Sequence, residues 1–513
     1  MSHTRNTQNT NIKTIAIAGG GTAGWMTAAA LSRMLQPQNV KIVLVESEQI
    51  GTIGVGEATI PDVANFNRML GIDEPTFMRA TKATFKLGIE FTDWGRLGDR
   101  YFHPFGTHGV DMNGIDFHQY WLHAQSTGSK ELLEDYSMCA IAAKRGKFIL
   151  PDANPRSVTS HLRYAYHFDA TQYALFLRDY AEKRGVVRRE GKINDVLQDS
   201  LSGNLTGLRL ENGETISADF FFDCTGFHAS LIEKTLNVPF KDWSHWLPCN
   251  SAQAVASERT EPLLPYTKST AKKAGWQWRI PTQHRTGNGH IYCSDFISDE
   301  QANQVLLDGL DAKPLGDART IRFKTGCREQ FWVRNCIAMG LSSGFLEPLE
   351  STSIYLIQQG ISRFISLYPS SNASQVVQNE YNRLMSREFE QVRDFIILHY
   401  KSTMRDDSDF WRYCKDMSIP DSLQHKIDLF KAAGRVFRDD GELFTRPSWI
   451  AVLIGQNVFP DTNEPILSDI PASDIQQSLS SMSQAMQKAA GTMPSHAEFI
   501  ERYTRAKPNT NGS

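Results

Sequence analysis

Ile15-Ala16-Ile17-Ala18-Gly19-Gly20-Gly21-Thr22-Ala23-Gly24-Trp25 is the stretch on which the fold turns. The apolar run Ile12–Ala18 reads as a strand, Gly19–Gly24 fits G-x-G-x-x-G, and Ala23–Leu35 has helical texture. A second apolar run, Val40–Val45, follows and ends at Glu46, 22 residues beyond Gly24. In this pattern Gly19 permits the tight turn. Gly21 lets a pyrophosphate approach the backbone, and Gly24 lets the helix pack on the sheet. Thr22 and Ala23 open a helix whose free N–H groups and dipole favour phosphate. Glu46 stands where an acid that binds a ribose hydroxyl is expected. The alternative, a glycine turn beside a solvated acid, leaves the strand–helix–strand order to coincidence. The expected fold class is α/β, a Rossmann-like (GxGxxG) dinucleotide-binding box.

Working outward, Thr215–Asp223 is another strand-like run, closing on Cys224-Thr225-Gly226, and Arg334–Met339 is a third, opening into Gly340–Gly344. Such returning segments predict one nucleotide-binding module assembled from distant pieces over residues 12–373, with insertions that carry substrate. From Ser374 glycine becomes sparse, and Phe389, Val392, Phe395, Ile396 and Tyr400 recur at helical spacing. Residues 374–506 are therefore expected to form an attached, mostly helical module. Residues 1–11 and 507–513 read as disordered tails. The glycine-rich turns at Gly51–Pro61 (with Gly56 and Ala58), at Gly226 and at Leu341–Gly344 favour FAD over NAD. A flavin is long and wrapped by several separated turns, whereas a nicotinamide site is normally one contiguous unit.

Composition removes other classes. The chain has 513 residues, 41% hydrophobic and 22% charged, with a formal net charge of −3. Near-balanced charge without a basic run gives no reason to expect nucleic acid or an anionic membrane. Seven dispersed cysteines lack zinc or CxxC spacing, and no metal site is expected. The polar start has no signal-peptide core, and no run reaches the length of a membrane span, so the expected location is cytoplasmic.

Three motifs carry a resemblance. They are Gly19–Trp25 (GGGTAGW), Trp276-Gln277-Trp278-Arg279-Ile280-Pro281 (W-x-W-x-I-P) and Gly344–Thr352 (GFLEPLEST). With them the sequence, from Ile15 to about Pro460, resembles the flavin-dependent tryptophan halogenase family. That resemblance implies an FAD box with a helical substrate module and reduced FAD (FADH2) supplied by a separate flavin reductase. It also implies a flavin hydroperoxide that halide, chloride or bromide, converts to hypohalous acid. The oxidant then travels through a tunnel to a lysine beside a small aromatic substrate. A homodimer is a further expectation.

By the same resemblance Lys86 is the lysine that holds the oxidant. On spacing alone, Phe85, Leu87, Ile89 and Phe91 would face the core of one strand, with Lys86, Gly88 and Glu90 on a wet face. Glu350 is implied to face Lys86, with Ser351 shaping that spot. Helix-start electrostatics is the plain alternative for Glu347 and Glu350. Thr352 and Ser353 match the halide position; many relatives carry glycine where Ser353 stands. His103 and Phe105 match residues flanking the substrate ring. Trp276 and Trp278 match indoles that keep the substrate from the flavin, although alternating indoles on a strand also suit a core. The stretch Phe444–Val452 shows no zwitterion clamp. The expected substrate is thus an indole or another electron-rich aromatic, with free tryptophan not favoured.

Overall fold

A computed structural model describes residues 12–49, 56–369 and 374–505. The two expected tails and the Gly51–Val55 part of the second glycine-rich stretch lie outside the described residues. The first sheet is built on strand β1 (Thr14–Ala18), helix α1 (Thr22–Met34) and strand β2 (Lys41–Glu46). Six strands run in the order Trp332–Val333, Cys336–Ala338, Phe220–Asp223, β1, β2, Val187–Glu190. All neighbours are parallel except the edge strand Trp332–Val333. Alternation decides which face each residue serves. Ile15, Ile17, Ile42, Leu44 and Phe222 join the large core with α1. Ala16, Ala18, Val43, Val45 and Phe221 face a second layer that contains Leu205, Leu208, Leu210 and Ile216. Both faces are covered, as a parallel sheet requires. In α1, Ala28, Ala29 and Ala30 are fully buried, and their small side chains let the helix lie close on the strands.

Two expectations from spacing are corrected. Thr215–Asp223 is two strands in two sheets. Thr215–Ser217 pairs antiparallel within the three-stranded layer, and Phe220–Asp223 pairs with β1. The break falls at Asp219, whose carboxylate accepts the Lys13 and Thr14 N–H groups and so starts β1. Thr84–Phe91 likewise divides. With β3 (Glu57–Ala58) first in chain order, β4 (Thr84–Lys86) pairs with Ala165–Phe168, which also pairs with β3. Strand β5 (Gly88–Thr92) enters a seven-stranded sheet between Thr267–Lys272 and β6 (Arg100–Pro104). A Cβ at Gly88 would lie 2.4 Å from His103 O, so only glycine lets the chain cross so near β6. No wet face exists: Lys86 is fully buried and Glu90 is 6% exposed.

Beyond residue 374 the described chain is helical: Gln375–Lys401, Asp409–Asp416, Asp421–Ala433, Arg446–Gly455, Ala472–Thr492 and His496–Arg505. Phe389, Val392, Phe395, Ile396 and Tyr400 form the buried stripe of the first and share the large core with α1. All seven cysteines are free and buried. Among the described residues no helix is long and apolar enough to cross a membrane, and no His/Cys/Asp/Glu cluster could hold a metal.

Candidate active site

The glycine turns meet at the carboxyl ends of β1, Phe220–Asp223 and Cys336–Ala338. A Cβ on Gly19, at φ +106°, would lie 2.2 Å from Cys224 O, and one on Gly24 would lie 1.9 Å from Gly19 O. These two glycines are demanded by the protein itself. Gly21 differs: among the described residues nothing lies within 4 Å of its Cβ position, and it precedes a helix with no acid in its first turn. Gly226 is open in the same way, at φ +68°. Gly340, which starts the turn containing Leu341, packs against Ala23; a Cβ there would lie 2.7 Å from Ala23 Cβ.

Asp223, fully buried, ties the turns together. It accepts from Thr225 N–H and O–H, from Ser342 O–H and from the Leu231 and Ile232 N–H groups. Glu46 ends β2 beside Gly20 and accepts from Trp25 Nε1 at 3.3 Å while pairing with Arg188. An anion cradle lined by backbone and by two open glycines fits a dinucleotide pyrophosphate. Gly56, at φ +52°, and Ala58 in β3 are both buried; a Cβ on Gly56 would lie 3.6 Å from Gly287 Cα. Gly344 sits in a short strand pairing with Gly326–Arg328.

Lys86 ends β4 in a closed niche. Its Nζ donates to Thr59 O at 3.0 Å and to Ser351 Oγ at 2.8 Å, and it lies 5.0 Å from the centre of the half-buried Phe105 ring. Burial pulls its pKa down to about 7, against the opposing pull of the Glu350 charge. Ser351 holds φ +60°, a left-handed conformation unusual outside glycine, and this aims its hydroxyl at the amine.

Glu350 does not touch Lys86 directly. Its carboxylate sits 3.0 Å from His103 Nδ1 and 2.8 Å from His399 Nε2. Burial alone would raise the Glu350 pKa, but the two histidines reverse this and hold it down at about 2. Behind His399, Gln456 donates to Tyr101 Oη at 3.3 Å, and Tyr101 Oη lies 2.9 Å from His399 Nδ1. If the Tyr101 hydroxyl donates to Nδ1, the Nε2–H of a neutral His399 faces Glu350.

Helix-start electrostatics does not explain the acids. The helix begins at Ser353 and carries no acid in its first turn; Pro348–Glu350 is a separate turn before it. Thr352 caps that helix with its backbone only. Its Oγ1 is buried and has no partner among the described residues, next to the helix-start N–H groups of Ser353 and its neighbours.

Trp276 and Trp278 lie on Gly275–Pro281, both buried, with ring centres 6.0 Å apart. Trp278 is opposite Gly289, where a Cβ would sit 2.0 Å from its ring, so glycine makes the room. Trp276 Nε1 donates to Glu347 at 2.8 Å, and Tyr400 Oη donates to the same oxygen at 2.6 Å. Burial raises the Glu347 pKa to about 7.

The structure thus brings Lys86, Ser351, Glu350, His103 and Phe105 into one niche and the glycines into another. Sequence reading missed Thr59, Asp223, Glu347, Tyr101 and His399 as partners. Asp223 and Glu347 stood inside quoted motifs, where an apolar strand ending in an acid and a doubled acid were usable signals. His399 follows Phe395 by one helical turn on a stripe that otherwise reads as core.

Comparison with known proteins supplies the frame. The tryptophan halogenase family model matches residues 14–472. A tryptophan 6-halogenase, ThaL, from Streptomyces albogriseolus is 35% identical over 498 residues, 90% of this chain and 92% of that protein. The solved structure of a flavin-dependent halogenase, BrvH, from Brevundimonas sp. BAL3 superposes with a TM-score of 0.93 at 43% identity, covering 96% of this chain and 99% of that one. Another from Xanthomonas campestris gives 0.93 at 45% identity, covering 96% and 98%. The chain belongs to the tryptophan halogenase family and is a flavin-dependent halogenase.

Proposed function

We propose that this enzyme forms hypohalous acid from chloride or bromide at bound FADH2, delivered by a separate reductase. Lys86 then holds the acid for substitution on an indole or other electron-rich arene. Bound reduced FAD with oxygen supplies the oxidising equivalents. Gly19, Gly21, Gly24, Gly226 and the turn through Leu341 would hold its phosphates and ring, and Glu46 its ribose. Residues 12–373 form the flavin box on this reading and 374–506 the substrate module. The unpartnered Thr352 hydroxyl and the helix start at Ser353 suit a halide. Trp276, fixed by Glu347, and Trp278 would keep the arene away from the flavin. The single observation that carries the reading is the fully buried Lys86 amine on Ser351, beside a carboxylate kept ionised by two histidines. There the ammonium hydrogen-bonds hypohalous acid and polarises its O–X bond. The ring carbon takes the halogen as the O–X bond breaks, the leaving oxygen takes a proton from the Lys86 ammonium and departs as water, and the Glu350 charge stabilises the cationic ring until its proton returns to the Lys86 amine.

Residues around His103 favour a neutral arene. Phe395 and Phe444 stack 3.7 Å apart beside it. In Phe444–Val452 the only charged side chain, Arg446, is already paired with Asp111 and Asp116, leaving no clamp for an amino acid zwitterion.

The test follows flavin oxidation by absorbance and arene halogenation by mass spectrometry in parallel, with bromide and indole. Lys86→Ala is expected to bind FAD and oxidise FADH2 normally while giving essentially no brominated indole. Glu350→Gln should keep a residue of activity, with the rate down by ~10²–10³ for one lost electrostatic contact. Full bromination by Lys86→Ala refutes the assignment, and an oxygen mass gain without bromine would mean a hydroxylase.

A further inference from the structure

The last described helix, His496–Arg505, lies beyond residue 472, where the family-model match ends. It begins with a reciprocal cap: Ser495 N–H donates to Glu498 Oε2 at 3.0 Å, and Glu498 N–H to Ser495 Oγ at 3.3 Å. This places His496, fully buried, at the first position with its backbone N–H on Gly146 O at 2.8 Å.

The imidazole makes two bonds of opposite sense. Its Nε2 accepts the Phe85 N–H at 3.1 Å, so Nδ1 carries the proton and donates to Leu263 O, also at 3.1 Å. Strand β4 lies at the edge of its sheet, because the order is β3, Ala165–Phe168, β4. Among the described residues its outer side therefore has no strand to pair with. The next outward N–H, that of Leu87, donates to Pro265 O at 2.8 Å. The residues on both sides of Lys86 are thus fastened to one segment, Leu263–Pro265, directly through Leu87 and through an imidazole at Phe85. The Phe85 ring is held as well, stacked 3.9 Å from Phe148 and within 5.7 Å and 5.9 Å of Phe499 and Tyr503 on the terminal helix.

We propose that His496 is a positioning residue for Lys86: its imidazole completes the open edge of β4 and so keeps the amine registered on Ser351 and Thr59. The inference rests on the reading of Lys86 as the residue that holds the oxidant. Among the described residues His496 touches no part of the glycine cradle, so losing it should uncouple the enzyme without stopping flavin oxidation. A shift of about 1 Å in a reacting group can cost about 10²-fold.

The experiment compares the parent, His496→Leu, His496→Gln and Lys86→Ala with reductase, FAD, bromide and indole. It reads brominated indole per FADH2 oxidised, together with FAD affinity, melting temperature and untransferred oxidant trapped by a scavenger. His496→Leu is expected to bind FAD and oxidise FADH2 like the parent, while the product ratio falls about tenfold or more and trapped oxidant rises. Gln can accept from Phe85 and donate to Leu263, so His496→Gln should recover much of the ratio. A lower melting temperature with an unchanged ratio in His496→Leu would make His496 core packing and overturn the inference. Should His496→Leu not fold, His496→Asn, polar but too short to span both partners, takes its place, and parent-like coupling in that variant also overturns it. Parent-like bromination by Lys86→Ala would bring down the underlying reading. An inactive Lys86→Ala beside a fully coupled His496→Leu would bring down only the tether.

Discussion

Lys86 shows how much one residue's chemistry depends on neighbours far away in sequence. Burial pulls its amine from the ordinary 10.5 down to about 7. Between those values the unfolded chain binds the extra proton, so this residue's contribution to stability rises with pH across that window and is least favourable below about 7. Lys86→Met removes this pH-dependent penalty but strips Thr59 O and Ser351 Oγ of their donor, so its melting temperature relative to the parent should be highest below about pH 7 and fall towards pH 10. If the ammonium is the form that holds hypohalous acid, product per oxidised flavin falls as pH rises through about 7, while flavin oxidation does not follow the same curve. Parallel pH profiles of the two readouts check this; a ratio that rises instead would assign the transfer to the neutral amine. That Lys86 lies on a strand was legible in the sequence; that the strand stops at Lys86 instead of running on to Phe91 was not. Nor was the lysine's burial, because the walls come from Thr59, Phe105 and Ser351.

At the scale of elements, the strand–helix–strand beginning could be read because period and glycine spacing are local properties. The glycines of that turn should also behave differently when changed. Gly24→Ala drives a methyl into Gly19 O, backbone that cannot swing aside, and should destabilise the protein by ~1–3 kcal/mol. Gly21→Ala meets open space and should leave the melting temperature of FAD-free protein within the equivalent of ~0.5 kcal/mol. The same methyl lies where pyrophosphate would approach, so FAD affinity should drop by tenfold or more. Thermal unfolding without FAD and a fluorescence titration with it separate the two effects. What could not be read was where two apolar runs divide. Asp219 breaks one by capping β1, and Gly88 breaks the other by passing close under His103, and both causes are tertiary.

For the whole molecule, the sequence carried the family motifs but not their convergence. Asp223 and Ser342 bond across 119 residues, and Lys86 and Ser351 across 265. No periodicity reports such distances. The chain has a single G-x-G-x-x-G, which the flavin occupies on the proposed reading. Purified protein is expected not to oxidise NADH by itself, and any FAD reductase should restore turnover. Stoichiometric NADH consumption by the protein alone, followed at 340 nm, would refute the two-component assignment.

The seven cysteines bear on how long such a catalyst survives. All are buried, and burial raises the pKa of each, from about 11 for Cys139 and Cys293 to well above the ordinary value for Cys249, Cys336 and Cys414. Thiolate, not thiol, is the form that an electrophilic halogen attacks fastest. On the proposed reading, in which the enzyme makes a bleach-like reagent, the most vulnerable sulfurs are thus kept protonated and screened, which would postpone self-inactivation between turnovers.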